Sequence, residues 1–295
     1  MICFPNAKIN LGLHIGAERL DGLHNIDSFF LPIKLCDALD VVECLDQNVK
    51  IQVNYSGLTR YIENDLVIKA YNIIDMDFNL PNVKVHLHKK IPFGAGLGGG
   101  SSDAAHMLKI LNNIFDLKLT KKDLLFYAKK LGSDCSFFIY NKSSFVSGSG
   151  DMICPDEVTF NGKENNKQLY NFFLVKPKKI NISSSDVFSS WREMKLSETF
   201  KNNKRDSNIK TLLGNFFDSY KDNVHNDLEH VVFNKYPQLQ VMKTYLYEKG
   251  AIYASMTGSG SCIYGIFPKK INLEELDFSN EDFFIWNDDF NETLG

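Results

Sequence analysis

The sequence predicts an α+β protein built in two halves. Strand-type runs and helical runs both occur on each side of NGKENNKQ, residues 161–168, a polar stretch with a glycine that reads as a boundary. No internal repeat relates the two sides. The halves are therefore taken as residues 1–160 and 161–295. At 295 residues and 44% hydrophobic, the chain can supply a proper core to each.

The first strand is AKINLGLHI. Alternation puts Ile9, Leu11, Leu13 and Ile15 on one face and Lys8, Asn10 and His14 on the other. A half-buried strand with a wet face explains the pattern. So does a strand whose Lys8 amine and Asn10 amide grip an anionic or hydroxylated substrate. Two more strands follow, then a helix near Leu66 to Asp75. VKVHLHKK is a strand that aligns His86 and His88 on one face. With no third ligand nearby and no H-E-x-x-H or Cys/His cluster, they are expected to be solvated, and no protein metal site is expected.

IPFGAGLGGGSSDAAHMLKIL, residues 91–111, carries glycine at 94, 96, 98, 99 and 100. Such a run sacrifices packing and chain entropy, so something must require bare backbone there. Ser101 and Ser102 read as caps of a helix starting at Ser102, with Ala104, Ala105, Leu108, Leu111 and Phe115 at helical spacing. A helix N-terminus offers unpaired N–H groups and a partial positive charge, which makes a phosphate chain the natural guest. A flexible linker ahead of a helix is the alternative. Gly94, Gly96 and Gly99 formally match the dinucleotide fingerprint G-x-G-x-x-G. That fingerprint needs a following strand with an acidic residue for a ribose. Here LKLTKKDLLFYAKKLG reads instead as a second helix, with Thr120 and Asp123 as a capping box and Gly132 as its stop. Walker A fails too, because Ser-Ser-Asp stands where Gly-Lys-Ser/Thr is needed.

In LGSDCSFF, Asp134 opens a new segment, either as a helix cap or as a catalytic carboxylate kept ionised by the helix start and a lysine. SSFVSGSGDMICP closes the first half as a strand pair. The second half opens with the strand YNFFLVKP and continues through a charged region from Arg192 to about Asp222, helical towards its end. VVFNKYPQLQVMKTYLYEKG follows as helical segments broken at Pro237. AIYASM and CIYGIF are strands joined by Thr257-Gly258-Ser259-Gly260-Ser261, either a long hairpin turn or a second glycine turn beside the first.

No run of about 18 apolar residues exists, so no membrane span is expected. MICFPNAKINLGLHIG has Lys8 in its middle and no basic leader, unlike a signal peptide. Six scattered cysteines without C-x-x-C pairing fit reduced packing residues in a cytoplasmic protein. The formal charge is -3, yet residues 271–295 hold eight acidic residues and no Lys or Arg. The body is thus modestly basic, which suits anionic small molecules and not nucleic acid. Phe278, Phe283, Phe284, Ile285, Trp286 and Phe290 predict that the acidic tail packs on the body.

PxAKINLxLxI through Lys8 to Ile15, DGxH at Asp21 to His24, PxGAGLGGGSSDAA from Pro92 to Ala105 and xTGSGS from Met256 to Ser261 together resemble the GHMP small-molecule kinases. The blocks run through nearly the whole chain, failing mainly between about 190 and 222 and in the tail. The combination is similar to the branch that phosphorylates the 2-hydroxyl of a cytidine-diphosphate-linked methylerythritol in non-mevalonate isoprenoid synthesis. The homoserine and mevalonate kinases of the same superfamily, a dinucleotide-binding oxidoreductase and a nucleotide sensor without catalysis are the rivals.

The resemblance implies a two-domain GHMP kinase fold with the active site in the cleft between the halves. ATP with Mg2+, the ion held mainly through the phosphates, would lie on Pro92, Gly94, Ala95, Gly96, Leu97, Gly98, Gly99, Gly100, Ser101 and Ser102. Lys89 would approach the adenine-side pocket. Asp134 would be the general base and Lys8 its ionic partner. Asn10 would contact the methylerythritol end and His24 the cytosine. Ser184, Phe188, Thr257, Gly258 and Ser259 would complete the substrate pocket, with Phe188 stacking on the base. Leu23 stands where the family usually has an aromatic residue, which removes one stacking face. Asp65, or Asn64 with a shift, falls at the family's adenine-pocket asparagine. A monomer or weak homodimer acting on a small molecule is expected.

Overall fold

The computed structural model describes residues 1–20, 22–44, 49–57, 65–156, 170–196 and 224–290. Its first half contains β1 (Ile2–Cys3), β2 (Asn6–Glu18), β3 (His24–Cys36), β4 (Ala38–Glu43), β5 (Ile51–Ser56), α1 (Leu66–Phe78) and β6 (Val83–His88). Helices α2 (Gly99–Ile114), α3 (Lys121–Leu131) and α4 (Ser133–Tyr140) follow, then β7 (Ser144–Gly148) and β8 (Met152–Pro155). The second half contains β9 (Tyr170–Pro177), α5 (Ser184–Leu196), α6 (Leu228–Lys235), α7 (Pro237–Glu248), β10 (Tyr253–Met256), β11 (Ile263–Pro268) and β12 (Phe283–Phe290).

Three four-stranded sheets result, ordered β1-β4-β6-β5, β2-β3-β7-β8 and β10-β11-β9-β12. Only β5 and β6 pair in parallel among the named strands. Helices α1 to α4 bury Tyr71, Leu108, Leu111 and Phe137 against the first sheet through Leu39, Val41, Val85 and Leu87. A second core joins the halves, since Ile9, Leu11 and Phe29 pack with Phe172, Leu174 and Tyr264. A third packs α5, α6 and α7 on the last sheet. The expected boundary at residues 160 and 161, with the polar stretch 161–168, lies outside the described residues, as does most of the charged region before Asp222.

Local sequence explains most of these ends. Thr120 accepts from the Asp123 N–H, and the Asp123 carboxylate accepts from the Thr120 N–H, closing the expected capping box of α3. Pro237 sits at the first turn of α7, where a missing N–H costs nothing. The tail packs as expected: β12 runs antiparallel along β9, and Trp286 lies edge-on to Phe172, 5.9 Å between centroids.

Three expectations are corrected. Helix α2 starts at Gly99 with Gly98 as its cap residue, so Ser101 and Ser102 lie inside the first turn and cap nothing. In β2 the pairing register shifts at Gly12, with Leu11 opposite Phe29 but Leu13 opposite Ser28. That bulge moves Leu13 to the face of Asn10 and breaks the single apolar stripe. The supposedly wet face is also dry, because Lys8 and Asn10 are both buried.

Candidate active site

One cavity of about 810 Å³ lies along the second core, between the glycine loop, β2, the start of α4 and α5. Glycine shapes the loop for a reason the sequence did not disclose. Gly96 has a φ of +74°, and a Cβ there would collide with the carbonyl oxygen of Thr257. The glycine loop and the 257–261 turn are thus interlocked backbones. Thr257 Oγ1 donates to the Gly96 carbonyl at 3.1 Å, and the Ser261 N–H donates to the Gly94 carbonyl at 3.1 Å. The Lys8 N–H donates to the Leu97 carbonyl at 3.0 Å, which docks the loop on β2 as well. Residues Pro92 to Ser101 all face the cavity. The first helical N–H with an internal partner is that of Ser102, to Gly98, leaving the amides before it for a ligand. Ser102 itself is fully buried off the cavity wall, its carbonyl accepting from His106 Nδ1 at 2.9 Å.

Lys8 projects from β2 to the start of α4. Its Nζ lies 3.5 Å from Asp134 Oδ2 and donates to Asn10 Oδ1 at 2.7 Å. The Lys8 side chain is 4% exposed and that of Asp134 30%, so the carboxylate is the member a substrate can reach. Burial pushes the Lys8 ammonium below the ordinary lysine range, and Asp134 pulls it back up. Asn10 is fixed on its other side by donating to Ser28 Oγ at 3.0 Å. Its amide thus orients Lys8 from the cavity wall. Thr257 stands behind Asn10, buried and off the wall, accepting from the Asn10 N–H at 3.2 Å.

Beyond this pair, His24 and Phe188 face the same cavity with rings nearly parallel, 17° between planes and 6.5 Å between centroids. His24 Nε2 is buried without a hydrogen-bond partner among the described residues. Ser184 and Ser259 share a hydrogen bond of 2.7 Å between α5 and the 257–261 turn, and Gly258 lines the wall beside them. Leu23 is half exposed at the same cavity. Asp21 and Asn64 lie outside the described residues. Asp65 caps α1 by accepting from the Val67 N–H at 2.6 Å and from the Tyr55 hydroxyl, and it does not reach the cavity.

Two features escaped the sequence reading. Arg192 lines the cavity from α5, donates to the Gly22 carbonyl and pairs with Glu18 at 3.2 Å, so it straps the β2–β3 turn to the second half. Its only sequence signal was a basic residue four positions after Phe188. Lys89 reaches the cavity wall, yet its ammonium is bound by Asp37 and by Asp103, the latter at 2.6 Å. Asp103 lay in plain view inside the glycine motif, as a lone acid on an otherwise apolar helix face. Among the described residues, no group of three His, Cys, Asp or Glu side chains is arranged to hold a metal ion. His86 and His88 lie on an exposed face, bonded to Ser56.

A glycine loop opening a helix, facing a lysine–aspartate pair across one cavity between two α+β halves, defines a GHMP kinase. Residues 65–142 match the GHMP kinases N terminal domain, and residues 203–276 match the GHMP kinases C terminal family. A 4-diphosphocytidyl-2-C-methyl-D-erythritol kinase of Bacteroides fragilis is 42% identical over 94% of this chain and 96% of its own. One from Azobacteroides pseudotrichonymphae is 44% identical over 91% and 94%. The chain belongs to the 4-diphosphocytidyl-2-C-methyl-D-erythritol kinase family of the GHMP kinases. A crystal structure of 4-(cytidine 5'-diphospho)-2C-methyl-D-erythritol kinase superposes with a TM-score of 0.70 at 27% identity, covering 90% of this chain and 89% of that one. Methanococcus jannaschii mevalonate kinase shares the fold, with a TM-score of 0.65 at 15% identity over 97% of both chains.

Proposed function

We propose that this chain transfers the γ-phosphate of ATP to the 2-hydroxyl of 4-diphosphocytidyl-2-C-methyl-D-erythritol, within isoprenoid synthesis. The observation that carries the reading is the Lys8–Asp134 pair, 3.5 Å apart, set in one cavity between the glycine loop and the His24–Phe188 rings. Asp134 accepts the hydroxyl proton as the alcohol oxygen bonds to the γ-phosphorus and ADP leaves. Lys8 pairs with the carboxylate and adds positive charge where the transferring phosphoryl group passes. The loop amides from Gly99 to Ser101 would hold the phosphates, and Mg2+ would arrive with them and offset the charge of the transferring phosphoryl group. His24 Nε2 offers the unsatisfied edge that a pyrimidine base can meet, and Phe188 offers a stacking face. Because Leu23 gives no ring, His24 and Phe188 carry base recognition in this chain.

The chain acts as a cytoplasmic enzyme on a small molecule, without nucleic acid or membrane partners, as a monomer or weak homodimer. Purified protein is expected to consume ATP only with the cytidylylated methylerythritol, giving a product one phosphate heavier by mass spectrometry. Turnover of mevalonate or homoserine instead would move the chain to another branch. A nicotinamide fluorescence titration that showed tight binding would favour an oxidoreductase.

A further inference from the structure

The glycine loop leaves β6 and enters α2, and a buried group of three charged side chains sits at its two ends. Asp37, at the junction of β3 and β4, is 1% exposed. Its Oδ1 accepts from the Lys90 N–H at 2.6 Å and from the Ile91 N–H at 2.8 Å, the residues that lead into the loop. Its Oδ2 binds Lys89 Nζ, and the same ammonium donates to Asp103 Oδ2, 2.6 Å away in the first turns of α2. Entry and exit of the loop are thus tied to one buried nitrogen. The Lys89 ammonium lies under the end of the loop, where a Cβ on Gly99 would come within 3.5 Å of Nζ. Asp37 and Asp103 are absent from the cavity wall. An ammonium saturated by two carboxylates has little left to offer a ligand.

We infer that Asp37, Lys89 and Asp103 are positioning residues that clasp the glycine loop into its phosphate-binding shape before nucleotide arrives. The inference rests on the kinase reading above and reassigns Lys89 from nucleotide contact to loop support. Preorganised donors are effective because they need no rearrangement when charge arrives. A backbone cradle can be preorganised only if its ends are fixed. One ammonium and two carboxylates beneath a triphosphate would repel it if all were ionised. Burial pushes the Asp103 carboxyl up to about 8, with Lys89 opposing and Asp37 adding to the rise. Asp103 Oδ1 also has no hydrogen-bond partner among the described residues. A proton shared by the two carboxyls would leave the clasp without net charge, compatible with phosphates above it.

The test uses the full chain with Asp37→Ala, Asp37→Asn and Asp103→Asn. Affinities for a non-hydrolysable ATP analogue and for cytidine diphosphate are measured by calorimetry, and amide exchange of loop residues 91–103 is followed without nucleotide. Removing Asp37 strands a buried ammonium and two N–H groups, so Asp37→Ala should weaken the analogue about tenfold or more. Cytidine diphosphate binding should hold, and loop exchange should accelerate. Asp37→Asn keeps an acceptor for both N–H groups and should recover part of the loss. Asp103→Asn keeps an acceptor for Lys89 and touches no loop N–H, so it should weaken the analogue less than Asp37→Ala does. The clasp is wrong if Asp37→Ala leaves analogue affinity and loop exchange unchanged, or weakens both ligands equally. If Asp37→Ala does not fold, an unaltered Asp37→Asn protein overturns it. A wild-type protein that bound neither ligand would sink the kinase reading, while loop exchange would still decide the clasp.

Discussion

Lys8 and Asp134 are 126 positions apart in sequence, and nothing in their spacing announces that their side chains meet. What was legible was each alone: an amine on an alternating strand and an acid opening a helix. The meeting depends on α4 starting beside β2, a tertiary fact. Asn10 shows the limit from the other side. Its amide is expected at the substrate and does line the cavity, while it also meets Lys8 and Ser28. Through the first of these contacts it orients the ammonium. Asp134 is the more exposed of the pair and is the group proposed to take the proton. Asp134→Asn keeps the shape and loses the base, so kcat should fall by about 10²-fold or more. Affinity for a non-hydrolysable ATP analogue should stay within a small factor, since the loop is untouched. Single-turnover kinetics and calorimetry on the same preparation check both halves, and a variant with full turnover would remove the base.

Elements were legible where local chemistry decides them. The α3 capping box, the Gly132 stop and Pro237 at the start of α7 all sit where their residue types demand. They failed where backbone meets backbone. Gly12 looked like one more strand residue and instead carries the bulge that turns Leu13 onto the Asn10 face. Gly96 read as bare backbone for a ligand, but its first demand is the Thr257 carbonyl behind it. Gly96→Ala therefore faces both a positive φ and a collision with a fixed main chain. It should lower the thermal midpoint and weaken an ATP analogue about tenfold or more. A variant as stable and as tight as wild type would show that the two loops are not locked.

Helix α2 supplies a second test. Burial and nearby Lys109 push His106 down from 6.5 to about 4, and its Nδ1–H is committed to the Ser102 carbonyl. The folded state then binds fewer protons than the unfolded one between these values. Its contribution is whole above about 6.5, is lost as pH falls towards about 4, and changes no further below. His106→Gln keeps a donor for Ser102 and cannot titrate. Urea midpoints for this variant should fall less steeply than wild type between pH 6.5 and 4. Parallel slopes would place the acid sensitivity in other groups.

At the scale of the molecule, the α+β class and the elements with strong local patterns could be read from the chain, while α4, α5 and β12 were not read as helices or a strand. How the halves join could not be read either. The second core mixes Ile9, Leu11 and Phe29 with Phe172, Leu174 and Tyr264, side chains far apart in sequence whose alternation says only that one face is buried. The tail completes this logic. Its aromatic residues predicted that it packs, despite its acidic composition. Packing prevails along β12, where each residue from Phe283 to Phe290 is paired with β9. Ile285 and Phe283 meet the third core and Trp286 and Phe284 the second, so this strand seals both. Ending the chain after Asn280 would bare the β9 edge and these apolar faces together, and an exposed edge of that kind recruits other chains. None of the residues around Lys8, Asp134 or the glycine loop belongs to the removed segment. The truncated protein should show a lower thermal midpoint and concentration-dependent association by light scattering. The fraction that remains monomeric and folded should keep its affinity for an ATP analogue. A truncated chain that stayed monomeric at full stability would mean that β12 is an ornament on the sheet, and that β9 is protected by something other than its neighbour.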